Sequence, residues 1–154
     1  MKKRINLIAG IGIILDQITK LFACLYLKDI ELIKGFFNLT YVENTGGAWG
    51  ILDNNRIVLV GVSVLTVLII NKYINSEVVI SRLSTVSYGL LLGGIFGNLF
   101  DRIFRGFVVD FFNFTIFGYN FPVFNIADSL IIIGVILMLI EVMGDSYGSK
   151  SRKK

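Results

Sequence analysis

The chain has 154 residues, of which 55% are hydrophobic and only 17% are charged, and its formal net charge is +4. Soluble domains are typically about 45–50% apolar and about 25% charged, so this composition predicts that a lipid bilayer surrounds much of the chain. The sequence contains no histidine and a single cysteine, Cys24. It therefore excludes Ser-His-Asp and Cys-His catalysis, the usual zinc sites and an internal disulfide, and we expect no metal or cofactor.

Four apolar segments are each close to the length of about 20 residues that a helix needs to cross a bilayer. The predicted helices are residues 5–27, 57–73, 83–103 and 123–143. The first follows basic residues, as a secretory signal does, but it is longer than a signal's apolar core and lacks an obvious small-residue cleavage site. We therefore expect it to be retained, and we expect residues 1–154 to form a single integral membrane domain.

The basic residues predict the orientation of these helices. They cluster in three places that four crossings bring to one side: both chain ends and the short segment between the second and third helices, which holds Lys72 and Arg82. Basic flanks of this kind are typical of cytoplasmic segments, so we expect both termini in the cytoplasm and no nucleic acid partner. The two long connections, residues 28–56 and 104–122, would then face outward.

Both outward connections have strand character. GFFNLTYVEN (residues 35–44) is rich in aromatic and β-branched residues, and GFVVDFFNFTIFGYNFP (residues 106–122) resembles it, with a turn expected near Gly118. The only proline, Pro122, immediately precedes the fourth predicted helix. Aromatic side chains of this kind are favoured at the headgroup layer of a membrane.

The predicted topology brings distant polar residues to one level. The third helix ends outside and the fourth begins there, so both helices would present polar side chains at that surface. These residues are Asn98, Asp101, Arg102, Asn125 and Asp128, with Asp110 in the connection between the two helices. Asn125 and Asp128 are three residues apart and share a helix face, but this pattern also fits an N-cap residue and a first-turn acid.

Asp110 and Asp128 suggest a paired-carboxylate site. Asp110 is flanked by Val and Phe on both sides, so nothing nearby in sequence offers it a charge partner, although a solvated loop acid would fit as well. Two carboxylates that lie close together cannot both ionise easily, so one keeps a proton while the other can activate water. Asp101 is an alternative second acid. We interpret it as structural because the neighbouring Arg102 guanidinium would keep it ionised.

Two other classes of function remain open at this stage. In a transporter or proton-conducting bundle, the membrane acids would form a relay, and these acids should be spread through membrane depth. In a serine–lysine peptidase, Lys20 would act as the base for Ser129, although no motif places the two together. The i, i+4 spacing of Asp16 and Lys20 favours a helix ion pair instead.

Five sequence blocks support the paired-carboxylate interpretation. LDQITK, ENTGGAW, GGIFGNLFDR, VVDF and FPVFNIAD occur in this order from about Leu15 to Asp128, and together they closely resemble the lipoprotein signal peptidases, or signal peptidase II. The resemblance implies a bacterial cytoplasmic-membrane aspartic endopeptidase with four helices and a small extracytoplasmic β-sheet cradle. It also implies cleavage just before a diacylglyceryl-modified cysteine of a prolipoprotein, contact with membrane lipids, and inhibition by cyclic peptides of the globomycin type.

The resemblance also assigns roles to individual residues. The catalytic acids would be Asp110 and Asp128. The asparagines Asn44, Asn98 and Asn125 and the arginine Arg102 would line the substrate site, and Asp16 would support it from the first helix. To these we add Lys20, Gly46 and Asp101 as expected substrate-binding or supporting residues. One position departs from the family pattern, because Gly47 replaces a usual alanine. We expect more backbone freedom in that turn but no loss of chemistry.

Overall fold

The computed structural model describes residues 1–47, 50–76 and 81–151, and it contains four long helices and a small antiparallel sheet. In chain order the elements are α1 (Lys2–Tyr26), β1 (Asp29–Ile33), β2 (Phe37–Asn44), α2 (Arg56–Asn75), α3 (Arg82–Phe104), β3 (Val108–Ile116), β4 (Tyr119–Asn120) and α4 (Ile126–Ser151). All four helices are long and apolar enough to cross a membrane. The predicted fold class, an all-α membrane protein with four helices and a small sheet, is confirmed.

Some element boundaries differ from those predicted. The fourth helix was expected from residue 123 but begins at Ile126, because Phe124 is held extended by β3. The Phe124 N–H donates to the Phe112 carbonyl at 3.1 Å, and the Phe112 N–H donates back at 2.8 Å. The same helix continues past the predicted end at residue 143, since no proline follows to stop it. β1, which is exposed along its length, was not assigned from the sequence.

The sheet brings the two outward connections together. Its strand order is β1-β2-β3-β4, with all neighbouring strands antiparallel, although α2 and α3 separate β2 from β3 in the sequence. In the β2–β3 register Val42 is opposite Asp110 and Asn44 is opposite Val108. The β3–β4 turn occurs at Phe117 and Gly118, near the predicted position, and both residues have positive φ, as a two-residue hairpin requires.

The sheet packs on the end of α1 through one face of β3. Val109 and Phe111 are buried there against Ala23 and Leu27. Asp110, whose side chain alternates with theirs, is on the other side of the strand, and only 2% of it is exposed. The strand therefore presents its one carboxylate away from α1 and into the protein.

Glycines on α3 allow the helices to approach closely. A Cβ added at Gly93 would lie 3.1 Å from the Ala9 carbonyl of α1, and one at Gly94 would collide with the Ala127 carbonyl of α4. α3 thus packs between α1 and α4, as small residues permit in membrane helix pairs. The outward faces of α1, α2 and α4 carry large exposed apolar side chains, such as Ile14, Leu68 and Ile136, which suit contact with lipid.

Candidate active site

Asp110 and Asp128 line one cavity of about 450 Å³ at the end of the bundle where α3 ends and α4 begins. Asn44, Asn98 and Arg102 line the same cavity. The structure therefore brings together acids and amides from β2, β3, α3 and α4. Gly47, the position that departs from the family pattern, also lies on the cavity wall.

Asp128 is fixed by the first turn of α4. Its Oδ1 accepts a hydrogen bond from Asn98 Nδ2 at 2.7 Å, and its Oδ2 accepts one from the Asn125 backbone N–H at 3.1 Å. In return the Asp128 N–H donates to Asn125 Oδ1 at 2.9 Å, which completes the reciprocal pattern of a capping box. The helix-capping interpretation and the active-site interpretation of this pair are thus compatible.

Asp110 is held by two side-chain amides. Its Oδ1 accepts from Asn125 Nδ2 at 2.6 Å, and its Oδ2 accepts from Asn44 Nδ2 at 2.8 Å. Burial, together with the nearby charge of Asp128, raises the pKa of Asp110 to about 7, although the two amides and Lys20 oppose this rise. The Asp110 carboxyl is therefore poised to hold or release a proton near neutral pH.

Asn125 connects the two carboxyls. Its side-chain amide donates to Asp110, while its backbone N–H donates to Asp128. It is completely buried, and Nδ2 also lies within 3.2 Å of both Asn98 Oδ1 and the Val109 carbonyl. One residue at the start of α4 thus sets the relative placement of two acids that are 18 positions apart in the chain.

Lys20 of α1 joins several of the buried polar residues around the two acids. Its ammonium donates to three side-chain oxygens, which are Asp16 Oδ2 at 2.8 Å, Asp101 Oδ2 at 2.9 Å and Asn98 Oδ1 at 2.8 Å. Lys20, Asp16 and Asp101 are completely buried, and the predicted i, i+4 ion pair is present. Asp16 Oδ1 also accepts the backbone N–H of Ala127 at 2.9 Å, so α1 binds the first turn of α4.

The sequence analysis named Arg102 as the cation beside Asp101, but the ion pairs of Asp101 are with Lys20 of α1 and with Arg105. Arg105 is four positions after Asp101 and shares its helix face, whereas the adjacent Arg102 does not. Arg102 instead donates to the Gly46 carbonyl at 3.0 Å and faces the cavity of the two acids. Gly46 therefore contributes its backbone to the site.

Two residues of this network were missed in the sequence analysis. Gln17 Nε2 lies 3.1–3.2 Å from Asp16 Oδ2, Asp101 Oδ1 and the Gly97 carbonyl, and its Oε1 accepts from Arg105 at 3.0 Å. Arg105 was identifiable by its i, i+4 spacing from Asp101. Gln17 lies inside the LDQITK block, but no spacing rule indicated its partners.

The serine–lysine alternative does not fit the described geometry. The three hydrogens of the Lys20 ammonium go to Asp16, Asp101 and Asn98, so none is directed at a hydroxyl. The Ser129 hydroxyl donates to the Asn125 carbonyl at 3.0 Å. Each group is thus engaged with other partners.

An apolar cavity of about 500 Å³ adjoins the site between α2, α3 and α4. Its walls include Leu59, Ile70 and Val135, and Asn98, Arg102 and Asp128 line both cavities. Asp128 therefore lies where the cavity of the two acids meets an apolar groove along the helices, and Asp110 lines the first of these cavities.

Comparison with known proteins places this arrangement in context. The family model described as signal peptidase (SPase) II matches residues 8–144. A lipoprotein signal peptidase of Clostridium acetobutylicum is 40% identical over 141 residues, with 89% of this chain and 92% of the relative covered. One from Staphylococcus aureus is 37% identical over 150 residues, with 96% and 92% covered.

Two solved structures, both described as a bacterial membrane enzyme determined by the in meso method, have the same fold. The first has a TM-score of 0.86 at 36% identity and covers 95% of this chain and 90% of its own. The second has a TM-score of 0.82 at 36% identity and covers 94% and 95% respectively.

The raised pKa of Asp110 predicts a pH-dependent loss of stability. Between its ordinary value of 3.8 and about 7, the folded protein keeps a proton that the unfolded chain has released. The contribution of Asp110 to the free energy of unfolding is therefore highest below pH 4. It decreases by at most ~1.4 kcal/mol per pH unit as the pH rises, and it levels off above about pH 7. Asp110→Asn should remove this component of the slope when melting temperature in detergent is measured from pH 4 to 8. The exposed acid variant Asp29→Asn is the control, and a slope in Asp110→Asn equal to that of the wild type would contradict the assignment.

Proposed function

Because this chain belongs to the signal peptidase II family of bacterial membrane aspartic endopeptidases, we propose that Asp110 and Asp128 are the carboxyls with which it removes signal peptides from prolipoproteins. The observation that carries this proposal is the connection of both acids through Asn125 beside one shared cavity. Each carboxyl oxygen accepts one amide hydrogen, and each retains a second lone pair for water or substrate.

The two carboxyls divide the acid and base roles between them. In the reactive form the pair shares one proton, which we place on Asp110 because burial and the charge of Asp128 favour its neutral form. Asp128 takes a proton from water as the water oxygen attacks the scissile carbonyl, and Asp110 donates a hydrogen bond to the carbonyl oxygen. The C–N bond then breaks, and the leaving amine takes a proton from the pair. No covalent acyl-enzyme and no cofactor are required.

Polar groups around the pair hold the extended peptide. Arg102 lines the cavity and keeps its positive charge close to both acids, where it can bind backbone carbonyls and the negative charge that develops on the attacked oxygen. Asn44 and Asn98 bind one carboxyl each and fix its orientation. These contacts set the geometry before substrate arrives.

The adjoining cavities match a substrate that carries both a lipid and an apolar signal helix. The signal helix docks in the groove between α2, α3 and α4, and the peptide bond just before the diacylglyceryl cysteine then reaches the two acids in the adjoining cavity. The acyl chains stay in the bilayer. A cyclic peptide inhibitor of the globomycin type would occupy the cavity of the two acids.

Orientation in the membrane follows from the basic segments. Both termini lie in the cytoplasm, and the sheet and the active site lie at the outer face. Of the basic residues that support this orientation, Arg152, Lys153 and Lys154 lie outside the described residues.

Cysteine labelling tests the orientation. In a Cys24→Ser background, Lys34→Cys on the β1–β2 connection should react with a membrane-impermeant maleimide in intact cells. Lys3→Cys near the N-terminus should react only after lysis. Labelling of Lys3→Cys in intact cells would contradict the proposed topology.

Cleavage by purified variants tests the carboxyl pair. Asp110→Asn and Asp128→Asn should each lower the turnover of a lipidated precursor by about 10³-fold or more, since neither role can be filled by an amide. Mass spectrometry of the precursor before and after incubation gives the cleaved bond. Asp29→Asn on β1 should cleave as the wild type does.

Wild-type turnover by either active-site variant would remove that residue from the pair. Proteoliposomes that carry an ion or proton flux and cleave no precursor would favour a transporter instead.

A further inference from the structure

A second group of charged residues lies buried between α1 and α3, outside the carboxyl pair. It contains two acids and two bases, which are Asp16, Lys20, Asp101 and Arg105. The first three are completely buried, and the Arg105 side chain is 25% exposed. With all four residues present the formal charges of the group balance, and loss of any single member leaves a net charge.

Arg105 supplies the second positive charge that balances the two buried carboxylates, Asp16 and Asp101. Lys20 is shared between Asp16 and Asp101, so one ammonium faces two buried carboxylates. Arg105 contacts the second oxygen of Asp101, and Gln17 accepts from the same guanidinium nitrogen at 3.0 Å. Removing one partner from a buried ion pair leaves an uncompensated charge, which is costly.

Asp101 uses its charge to hold the start of β3. Its Oδ2 accepts the backbone N–H of Val109, the residue before Asp110, at 3.2 Å. Its backbone carbonyl accepts from the N–H groups of Arg105 at 2.8 Å and Gly106 at 3.1 Å, which closes the end of α3. Asp101 therefore joins the last turn of α3 to the strand that carries Asp110.

We propose that Arg105 is a positioning residue for peptide cleavage, because its ion pair fixes the Asp101 carboxylate against the Val109 N–H and Asp101 in turn directs Asp110 towards Asp128. The inference rests on the proposed role of Asp110. Arg105 lines neither of the two cavities that contain Asp128, so it acts through Asp101 and does not touch substrate. Gln17 orients the guanidinium by accepting one of its hydrogens.

The charge on Asp101 matters because a carboxylate binds a backbone N–H more strongly than a neutral acceptor does. Without Arg105, Lys20 would be the one cation among the described residues that forms ion pairs with these two buried acids, and the Asp101 carboxylate would lose the contact that fixes its second oxygen. That loss weakens the hydrogen bond from the Val109 N–H. Because alignment of reacting groups is demanding, a displacement of about 1 Å at Asp110 would lower the rate by about 100-fold.

The test compares steady-state kinetics of Arg105→Gln and Arg105→Lys with a lipidated precursor, normalised to protein in the monodisperse gel-filtration peak. Arg105→Gln should lower kcat by about 10- to 100-fold and leave KM within about threefold, since the substrate contacts remain. Arg105→Lys should restore most of kcat because it restores the charge. Lys34→Gln, which removes an exposed positive charge from the outer connection, should behave as the wild type.

A double-mutant cycle separates positioning from general destabilisation. In an Asp101→Asn background the charge that Arg105 neutralises is absent, so adding Arg105→Gln should cost less than about threefold in kcat. The inference is overturned by wild-type kcat in Arg105→Gln, by failure of lysine to rescue, or by an equal loss in both backgrounds. Asp110→Asn in the same assay keeps the two proposals apart. If it retains turnover, the proposed function fails, whereas inactive Asp110→Asn with fully active Arg105→Gln removes only the inference.

Discussion

The structure depends on one buried ammonium group. Lys20 has no exposed surface, and its three hydrogens reach Asp16, Asp101 and Asn98. Through these three contacts a single residue of α1 is joined to the first turn of α4, to the start of β3 and to the amide that binds Asp128. Buried ion pairs often contribute little to stability, because desolvation offsets their attraction. Here they join α1 to α3, α4 and β3, and no buried side-chain nitrogen or oxygen among the described residues lacks a hydrogen-bond partner.

The remainder of the fold brings polar groups to that point. Glycines on α3 let α1 and α4 approach it from two sides, so buried acids and amides meet where three helices converge. The sheet adds Asp110 from the far side, in register with β2, which carries Asn44. A polar site at the end of a bundle, beside an apolar groove, suits a reaction on a substrate held in lipid. Neither the helices nor the sheet could build the site alone, since each supplies one of its two carboxyls.

The helices and the two candidate catalytic acids could be predicted from the sequence. Hydropathy and length gave the helices, and the signal peptidase II blocks pointed to Asp110 and Asp128, which the structure brings to one cavity. The ion-pair partners of Asp101 were not predicted from the sequence. Adjacency in sequence suggested Arg102, whereas side-chain direction on a helix selects Arg105. The delayed start of α4 was not predicted because the pairing of Phe124 with Phe112 of β3 is a tertiary contact that hydropathy does not indicate. The role of Gln17 was missed because its partners Asp101, Gly97 and Arg105 lie on or just after α3, far from it in the sequence.

Infrared titration of the carboxyl groups tests most directly whether Lys20 couples α1 to the acid pair. We expect a carboxyl signal that titrates near pH 7 in the wild type and that is absent in Asp110→Asn. In a charge-balanced Lys20→Met and Asp16→Asn double variant, this titration should move to higher pH, because the cation that opposes protonation of Asp110 is gone. An unchanged titration in the double variant, or a signal that persists in Asp110→Asn, would contradict a coupling between Lys20 and the acid pair.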